Sequence, residues 1–271
     1  MPIEQPNAVV LNREDLSSTL MILRVAPSGW ELPDFLPGQY GTIGLPPLAP
    51  RLPGCDPEPE PPHPDKLIKR AYSVASSSVA KEYLEFYISL VTSGTLTPRL
   101  WTLGPGSAVW LAPRIVGTFT LRQVPADRNL VLIATGTGLA PYVSMLRTEL
   151  DVRTGVRFAV LHGARHSWDL GYRSELMTMQ RLTKNLAYIP AISAPDAEPV
   201  PWVGNRGYVQ HLWERGLIAQ AWGAEPRPED THVFLCGNPR MIETMLPILA
   251  AQGFREHTKK APGEVHTEKY W

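Results

Sequence analysis

The sequence predicts a β plus α/β protein, in which an N-terminal antiparallel β-barrel precedes a C-terminal doubly wound parallel α/β domain. Six short β-rich runs, separated by Pro, Gly and Ser clusters, occupy about the first 120 residues. From Asn129 onward, strand-like runs alternate with helical stretches, as in parallel βαβ units. Residues 130–147, LVLIATGTGLAPYVSMLR, have the pattern of strand, tight turn and helix. The predicted domains are 1–126 and 127–271.

The barrel domain is predicted from its short runs and the residues that separate them. Strands are expected at 8–12, 19–25, 39–45, 68–74, 83–91 and 108–111, with one helix at 97–103. Residues 46–65 are too rich in proline for a helix or a central strand. We therefore expect a surface insertion at about 46–65, an irregular loop without chemistry of its own, in which Cys55 is an exposed thiol.

The α/β domain is expected to have strands at 130–135, 158–162, 186–192 and 232–236, and helices at 142–150, 168–182, 209–217 and 241–252. Its first strand is apolar without alternation, which is typical of a parallel strand covered on both faces. Gly136 and Gly138 then allow positive φ and close approach to the backbone, and Pro141 suits the first turn of a helix. Such a helix start could bind a phosphate or pyrophosphate, or the glycines could serve only a tight connection.

The composition excludes several classes of function. The 271 residues carry no net charge and have a pI near 7.1, so no nucleic-acid partner is expected. No apolar run approaches the ~20 residues that a membrane span needs, and the N-terminus lacks a signal-peptide pattern. We therefore expect a cytoplasmic protein without a membrane partner. Cys55 and Cys236 lie far apart without metal-ligand spacing, so neither a disulfide framework nor a metal site is expected.

Two segments of the barrel domain carry residues that suit a phosphorylated ligand. On the strand 68–74, alternation places Arg70 and Tyr72 on one face and Ser73 on the other. The arginine could grip a phosphate while the tyrosine packs on a flat ligand, or this could be an ordinary solvated strand face. The segment SGTLTPRL, residues 93–100, opens a helix with a glycine and two hydroxyls, which could cradle a phosphate or merely cap the helix.

Six motifs then follow one another along the chain: RAYS, SGTLTPRL, VGTFTL, ATGTGLAP, CGNPRM and a terminal TEKYW. In this order they make the sequence resemble the ferredoxin–NADP reductase family, and specifically the bacterial ferredoxin/flavodoxin–NADP reductases. The resemblance runs from about residue 8 to the C-terminus, except for the proline-rich insertion. It implies a FAD-binding barrel and an NADP(H)-binding α/β domain, with a C-terminal tail that covers the flavin.

The resemblance also implies the roles of individual residues. Arg70 would hold the FAD pyrophosphate, Tyr72 would pack on the flavin, and Ser73 would hydrogen-bond near flavin N5. Cys236 would lie beside the nicotinamide C4, although a buried cysteine at a strand end is by itself usually a small hydrophobe. The tail would stack on FAD or pack on protein. The implied FAD residues are Arg70, Ala71, Tyr72, Ser73, Gly94, Leu96, Thr97, Thr118, Tyr270 and Trp271; the implied NADP residues are Thr137, Gly138, Arg165, Arg206 and Cys236; the implied catalytic residues are Ser73, Cys236 and Glu268.

Coenzyme choice is predicted from two arginines. Arg165 follows a predicted strand and Arg206 precedes a predicted helix, so both could reach a 2′-phosphate at the carboxyl edge of the sheet. No acidic residue follows the second strand, where an NAD-type site would bind the ribose hydroxyls. Ala194 stands where bacterial relatives carry a third arginine. We therefore expect NADPH to be preferred over NADH, but by less than in a site with three arginines.

The expected function is that of a flavoenzyme that exchanges a hydride between NADP(H) and FAD and single electrons between FAD and ferredoxin or flavodoxin. The alternatives are a reductase component for an oxygenase, a free flavin or ferric reductase, and an FAD-containing electron-transfer or regulatory subunit without NADPH turnover. A monomer is expected. A basic rim could steer an acidic partner, or its charges could be scattered and solvated; the rim consists of Lys66, Lys69, Arg70, Arg99, Arg114, Lys259 and Lys260.

Overall fold

The computed structural model describes residues 4–58 and 60–269. The chain forms two compact units, Met1–Thr120 and Leu121–Trp271. The division lies ahead of the predicted boundary between residues 126 and 127. The short 3-10 helix Leu121–Gln123, in which Leu121 is buried, belongs to the second unit.

The first unit is an antiparallel sheet whose strands are, in chain order, β1 (Ala8–Ser17), β2 (Leu20–Pro27), β3 (Tyr40–Leu45), β4 (Ile68–Ser73), β5 (Leu84–Ser89) and β6 (Ala108–Leu111), with the helix α1 (Thr97–Leu100) before β6. The strands lie in the order β4-β3-β6-β1-β2-β5. The edge strands of this order are β4 and β5. An antiparallel bridge between Val74, which follows β4, and Phe86 of β5 links them, so the sheet closes into a barrel. The predicted antiparallel barrel is confirmed.

Alternation along the strands builds the core of this unit, because every second side chain of a strand points to the same face. On β2 and β5 the inward side chains are almost completely buried; they are Met21, Leu23, Val25, Leu84, Phe86 and Ile88. The helix α1 is shorter than the predicted 97–103. After Leu100 the chain continues through i→i+3 hydrogen bonds, in which the N–H groups of Thr102 and Leu103 donate to the carbonyls of Arg99 and Leu100.

The second unit is a parallel sheet with helices between its strands. Its elements are β7 (Asn129–Thr135), α2 (Ala140–Glu149), β8 (Phe158–Ala164), α3 (Arg173–Leu182), β9 (Leu186–Ile192), β10 (Asn205–Arg206), α4 (Val209–Glu214), α5 (Leu217–Trp222), β11 (Thr231–Gly237), α6 (Pro239–Ala251) and β12 (Val265–Lys269). The strand order is β10-β9-β8-β7-β11-β12, and all the strand pairs are parallel. The predicted doubly wound α/β domain is confirmed.

Several elements differ from the sequence prediction. The short strand β10 and the C-terminal strand β12 were not predicted. The helix expected at 209–217 is two helices, α4 and α5, because Gly216 adopts a left-handed conformation with φ +66 between them. The helix expected from residue 168 begins at Arg173, after the 3-10 turn Ser167–Asp169 and Tyr172, which has φ 58.

The core of the second unit lies on both faces of β7. Val131 and Ile133 belong to a cluster that includes Ile242 and Met245 of α6. Leu132, which the strand alternation points to the opposite face, is also fully buried. Burial on both faces explains why the run LVLIA lacks polar alternation. Among the residues that the structure describes, no helix is both long enough and apolar enough to cross a membrane.

Candidate functional site

The first candidate site lies in the barrel unit, where the structure brings the RAYS strand and the SGTLTPRL segment together. The guanidinium Nη2 of Arg70 on β4 donates to the hydroxyl Oγ1 of Thr95 at 3.2 Å, and its Nη1 donates to the carbonyl of Lys69 at 2.8 Å. Arg70 is exposed, and no carboxylate within 4–58 or 60–269 forms an ion pair with it. The cation therefore lies beside the segment that precedes α1, with donors left for a ligand.

The segment before α1 presents unpaired backbone donors. The N–H groups of Thr95, Leu96 and Thr97 have no acceptor in the described part of the chain, since they lie before or at the first residue of α1, where no preceding helical turn offers a carbonyl. The Thr97 hydroxyl, in contrast, accepts from the N–H of Val91 and donates to its carbonyl, both at 3.0 Å. Leu96 is buried. Of the predicted ligands in this segment, Leu96 and Thr97 can therefore offer their backbone N–H groups, while the Thr97 side chain shapes the loop.

Gly94 has a steric reason to be glycine. A Cβ at this position would lie 3.0 Å from the carbonyl oxygen of Val91 and 3.3 Å from the Thr97 hydroxyl. Both atoms take part in the hydrogen bonds that shape the loop. The compact turn that brings the free N–H groups into one place thus needs a residue without a side chain.

The rest of β4 places the other predicted flavin residues. The Tyr72 ring meets the edge of the Phe86 ring at a centroid distance of 6.3 Å, and burial raises the pKa of its phenol well above the usual value. Ser73 is buried and pairs with Tyr40 on β3, whereas Ala71 is exposed. Tyr40, the partner of Ser73, also forms an antiparallel bridge with Val116. Thr118, which is exposed, lies two residues after Val116 in the chain.

The second candidate site lies in the α/β unit, where the ends of β7 and β11 approach very closely. After β7, residues Gly136–Leu139 form a 3-10 turn that leads into α2, with proline at its start. A Cβ at Gly138 would lie 2.6 Å from the carbonyl carbon of Cys236 and 2.7 Å from the Cα of Gly237. Only glycine permits this approach. The hydroxyl of Thr135, a residue that the sequence analysis missed, accepts from the N–H of Asn238 at 2.9 Å and ties the two strand ends together.

Cys236 and Glu268, both predicted to be catalytic, are brought together by the unpredicted strand β12. They are register partners on β11 and β12, and the Cys236 thiol lies 3.9 Å from the Oε2 of Glu268. The thiol is fully buried. Beneath them, the hydroxyl of Tyr142 donates to the carbonyl of Ile133 at 3.2 Å. Burial raises the pKa of Tyr142, and negative charge on Cys236 or Glu268 would raise it further, so the phenol stays protonated.

The two predicted 2′-phosphate arginines lie at the carboxyl edge of this sheet. Arg165 follows β8 directly, and Arg206 ends β10; both are exposed. The N–H of Ala194 donates to the carbonyl of Arg165 at 3.0 Å, so position 194 is next to Arg165. Arg206 Nη2 donates to the carbonyl of Trp202 at 3.2 Å. Arg173 is a further cation at this edge, and the sequence analysis missed it; its guanidinium lies 4.7 Å above the Trp202 ring. Its position at the start of α3 is the sequence feature that could have identified it.

The basic rim needs a correction. Arg99 is only 3% exposed and forms a two-pronged ion pair with Glu58, so it cannot belong to a solvent-facing rim. Lys69 pairs with Glu4 and lies 3.7 Å above the Trp110 ring. Lys66, Arg114, Lys259 and Lys260 are exposed as predicted. Tyr270 and Trp271, predicted to stack on the flavin, lie outside the described residues.

The donors of these sites fit two nucleotides with diphosphates. In the barrel unit, a guanidinium and three backbone N–H groups lie together, and such donors suit a diphosphate. In the α/β unit, a glycine-lined strand end and two exposed arginines suit a dinucleotide with an additional phosphate. Neither unit contains a group of residues, among those described, that could hold a metal ion.

Known proteins match this arrangement. Residues 132–246 match the family of oxidoreductase NAD-binding domains. The flavodoxin/ferredoxin–NADP reductase of Escherichia coli is 33% identical over 205 residues, which are 75% of this chain and 81% of that protein. The ferredoxin–NADP reductase B of Sorangium cellulosum is 33% identical over 212 residues, 77% of this chain and 81% of that protein.

Solved structures share the fold. The ferredoxin NADP+ reductase of Neisseria gonorrhoeae with bound FAD and NADP superposes with a TM-score of 0.79 at 21% identity, over 98% of each chain. A cytochrome P450 reductase from Amycolatopsis superposes with a TM-score of 0.74 at 22% identity, over 98% of this chain and 70% of that chain. With one third of the aligned residues identical to curated relatives over most of both chains, this chain belongs to the flavodoxin/ferredoxin–NADP reductase family.

Proposed function

We propose that this chain is a FAD-dependent ferredoxin/flavodoxin–NADP(+) reductase, which exchanges a hydride between NADP(H) and FAD and single electrons between FAD and ferredoxin or flavodoxin. The observation that carries the proposal is the meeting of Arg70 with the free N–H groups of Thr95, Leu96 and Thr97, in a chain of this family. Together they provide a charged donor and fixed dipoles for a buried diphosphate. The proposal includes a monomeric cytoplasmic protein without a nucleic-acid partner.

The FAD, when bound, supplies the chemistry of hydride and single-electron transfer. The residues of the chain bind and orient the two nucleotides. Arg70 and the loop before α1 hold the FAD pyrophosphate, and Tyr72, braced by Phe86, packs on the flavin while Ser73 hydrogen-bonds to it. Thr118, Ala71, Gly94 and the terminal pair Tyr270 and Trp271 are proposed as further FAD residues.

On the NADP(H) side, Thr137 and Gly138 bind the coenzyme at the end of β7, and Arg165 and Arg206 hold its 2′-phosphate. Cys236 would contact the nicotinamide; its position one residue before the end of β11, next to the glycine turn, supports this role. The Oε2 of Glu268 lies 3.9 Å from this thiol and can accept a hydrogen bond from it.

The proposal is tested by anaerobic titration of the purified holoprotein with NADPH. Bleaching of the flavin absorbance is expected, followed by electron transfer to added ferredoxin or flavodoxin. A flavin that binds but is not bleached would instead favour the electron-transfer or regulatory subunit. Bleaching without transfer to either carrier, but with transfer to free flavin or ferric chelates, would favour the free flavin or ferric reductase.

Arg70→Ala gives a site-specific test. Loss of one charge-assisted donor to a diphosphate costs about 1.5–3 kcal/mol, so the Kd for FAD should rise roughly tenfold to a hundredfold. The measurement is quenching of flavin fluorescence on rebinding to the apoprotein. Lys81→Ala is the control, because Lys81 is an exposed lysine of the same unit whose contacts are with Asp34 at 2.8 Å, the Pro33 carbonyl and the Phe35 ring, away from Arg70 and Thr95 in sequence. Equal FAD affinity in the two variants would contradict the assigned role of Arg70.

A further inference from the structure

The proline-rich insertion is not a free surface loop, because it is hydrogen-bonded to the segment that offers its N–H groups to the pyrophosphate. The Oγ1 of Thr92 donates to Asp56 at 2.8 Å, and the N–H of Leu52 donates to the carbonyl of Pro98 at 2.9 Å. These bonds lie on both sides of the segment 93–97. The insertion therefore passes alongside the whole loop before α1.

Two arginines connect the insertion to the carbonyls of this loop. Arg51, within the insertion, donates from Nη1 to the carbonyl of Gly94 at 3.1 Å. Arg99, on α1, donates from Nη1 to the carbonyl of Thr95 at 2.6 Å and from Nη2 to the carbonyl of Pro47 at 2.7 Å. Glu58 holds both arginines: it pairs with Arg99 through both oxygens at 2.7 and 3.1 Å, and with Arg51 at 3.1 Å. A guanidinium group thus occupies the carbonyl of Gly94 and another occupies that of Thr95.

These contacts determine where the N–H groups of the loop point. In a planar trans peptide, the carbonyl and the N–H of the same unit point in opposite directions. Fixing the carbonyl of Gly94 therefore aims the N–H of Thr95, and fixing the carbonyl of Thr95 aims the N–H of Leu96. These are two of the N–H groups that have no acceptor in the described chain. A cation at each carbonyl also polarises the peptide and strengthens its N–H as a donor.

The charges on the carbonyl side of the loop hold one another in place. Two guanidinium groups share the Glu58 carboxylate there, on the side away from the free N–H groups. The hydrogen bond from Arg99 lowers the pKa of Glu58, and the charges of Arg99 and Arg51 act in the same direction although burial opposes them. Glu58 is therefore ionised at neutral pH, and both arginines keep their partner.

We infer that Arg51 and Arg99, held together by Glu58, are positioning residues for the FAD pyrophosphate, which they serve through the peptide carbonyls of Gly94 and Thr95 without touching the cofactor. The inference rests on the proposed function, since it requires that the loop binds FAD. It gives the insertion a role in cofactor binding, where the sequence had indicated an irregular loop without chemistry.

Arg51→Ala in the full-length protein is the main test, because Glu58 keeps its pair with Arg99 in this variant. The Kd for FAD should rise about tenfold, as expected for one lost hydrogen bond to a charged group. The ³¹P resonances of bound FAD should shift, while the visible spectrum of the flavin should not, because only the phosphate end is affected. Arg51→Lys, which keeps a cation able to reach the Gly94 carbonyl, should restore part of the affinity.

Glu58→Gln is the second variant, since it removes the charge that holds both arginines and should weaken FAD binding more than Arg51→Ala does. Glu60→Gln is its matched control, because Glu60 is an exposed glutamate of the same insertion. Lys81→Ala again controls for the loss of a positive charge. FAD affinity in both controls should equal that of the wild type.

The outcomes separate the inference from the proposed function. If the wild type binds FAD and both variants bind it equally well, the positioning role is wrong while the proposed function stands. A weakened variant whose flavin spectrum changes but whose ³¹P resonances do not would show general loosening of the barrel and would also overturn the inference. If the wild-type apoprotein does not bind FAD at all, the proposed function fails and the inference fails with it.

Discussion

Replacing Gly138 with alanine is expected to force apart the ends of β7 and β11, where the nicotinamide is proposed to bind. The new Cβ would lie 2.6 Å from the carbonyl carbon of Cys236 and 2.7 Å from the Cα of Gly237, whereas ordinary contacts of a Cβ begin at 3.4 Å. The carbonyl oxygen of Cys236 would be closer still, so one backbone must move by about 0.8–1 Å, because no flexible side chain can give way. Overpacking of this kind typically lowers the free energy of unfolding by about 1–3 kcal/mol. Because the atoms that clash with the new Cβ belong to the backbone, we expect Gly138→Ala to lie near about 3 kcal/mol.

Two measurements check this expectation. A loss of about 3 kcal/mol corresponds to a fall in Tm of roughly 6–12 °C for a chain of this size. A displacement approaching 1 Å beside the reacting atoms can reduce the rate about a hundredfold. We therefore expect the kcat/KM for anaerobic reduction of bound FAD by NADPH, measured by stopped flow, to fall by about that factor.

Two other glycines of the same unit provide matched controls. Gly136 has φ +55, but a Cβ added there would have no neighbour within 4 Å, so Gly136→Ala should show only the cost of a left-handed residue, about 1–2 kcal/mol. Gly155 has neither constraint, and Gly155→Ala should behave as the wild type. If Gly138→Ala matched Gly136→Ala in both Tm and reduction rate, close packing of the two strand ends would not be the reason for glycine at position 138.

The remaining predictions concern coenzyme choice, pH and the electron partner. The preference for NADPH over NADH, measured as the ratio of the two kcat/KM values, should fall roughly tenfold or more in Arg165→Ala and in Arg206→Ala, because each variant loses a charge-assisted donor. The same ratio should rise in Ala194→Arg. A wild type indifferent to the 2′-phosphate would refute the assignment of both arginines. Burial lowers the pKa of His266 from 6.5 to about 3, so the unfolded chain binds a proton below pH 6.5 that the folded chain does not. The free energy of unfolding should therefore decrease as the pH falls from 6.5 toward 3, by up to about 1.4 kcal/mol per pH unit for this group; His266→Gln should remove that part of the slope in urea denaturation, and an unchanged slope would argue against the depressed pKa. If the exposed lysines and arginines of the basic rim steer an acidic ferredoxin, the on-rate for its reduction should fall between low and high salt, and a salt-independent on-rate would exclude steering.

The sequence by itself determined the type and order of most elements. The apolar run 130–134 without alternation indicated a strand buried on both faces, and the structure confirms this because Val131 and Leu132 are both fully buried on opposite faces. Local signals also sufficed at helix starts: the residues Asn238 and Pro239 have the pattern of an N-cap and a first-turn proline, and the Asn238 side chain accepts from the N–H of Arg240 at 2.9 Å. Periodicity and capping act within a few residues, so they can be read along the chain.

Only the tertiary structure decided which distant residues meet. The strand β12 was not predicted because its five residues carry little pattern of their own, and it exists through its register with β11, which brings Glu268 to Cys236. Arg70 reaches Thr95 across 25 residues of sequence, and Arg99 reaches Glu58 across 41. Arg99 was therefore expected in the basic rim, since neither its charge nor the family resemblance shows which carboxylate it meets. A local pattern cannot show that a partly buried carboxylate offsets the cost of burying a guanidinium, because that partner comes from a different part of the chain.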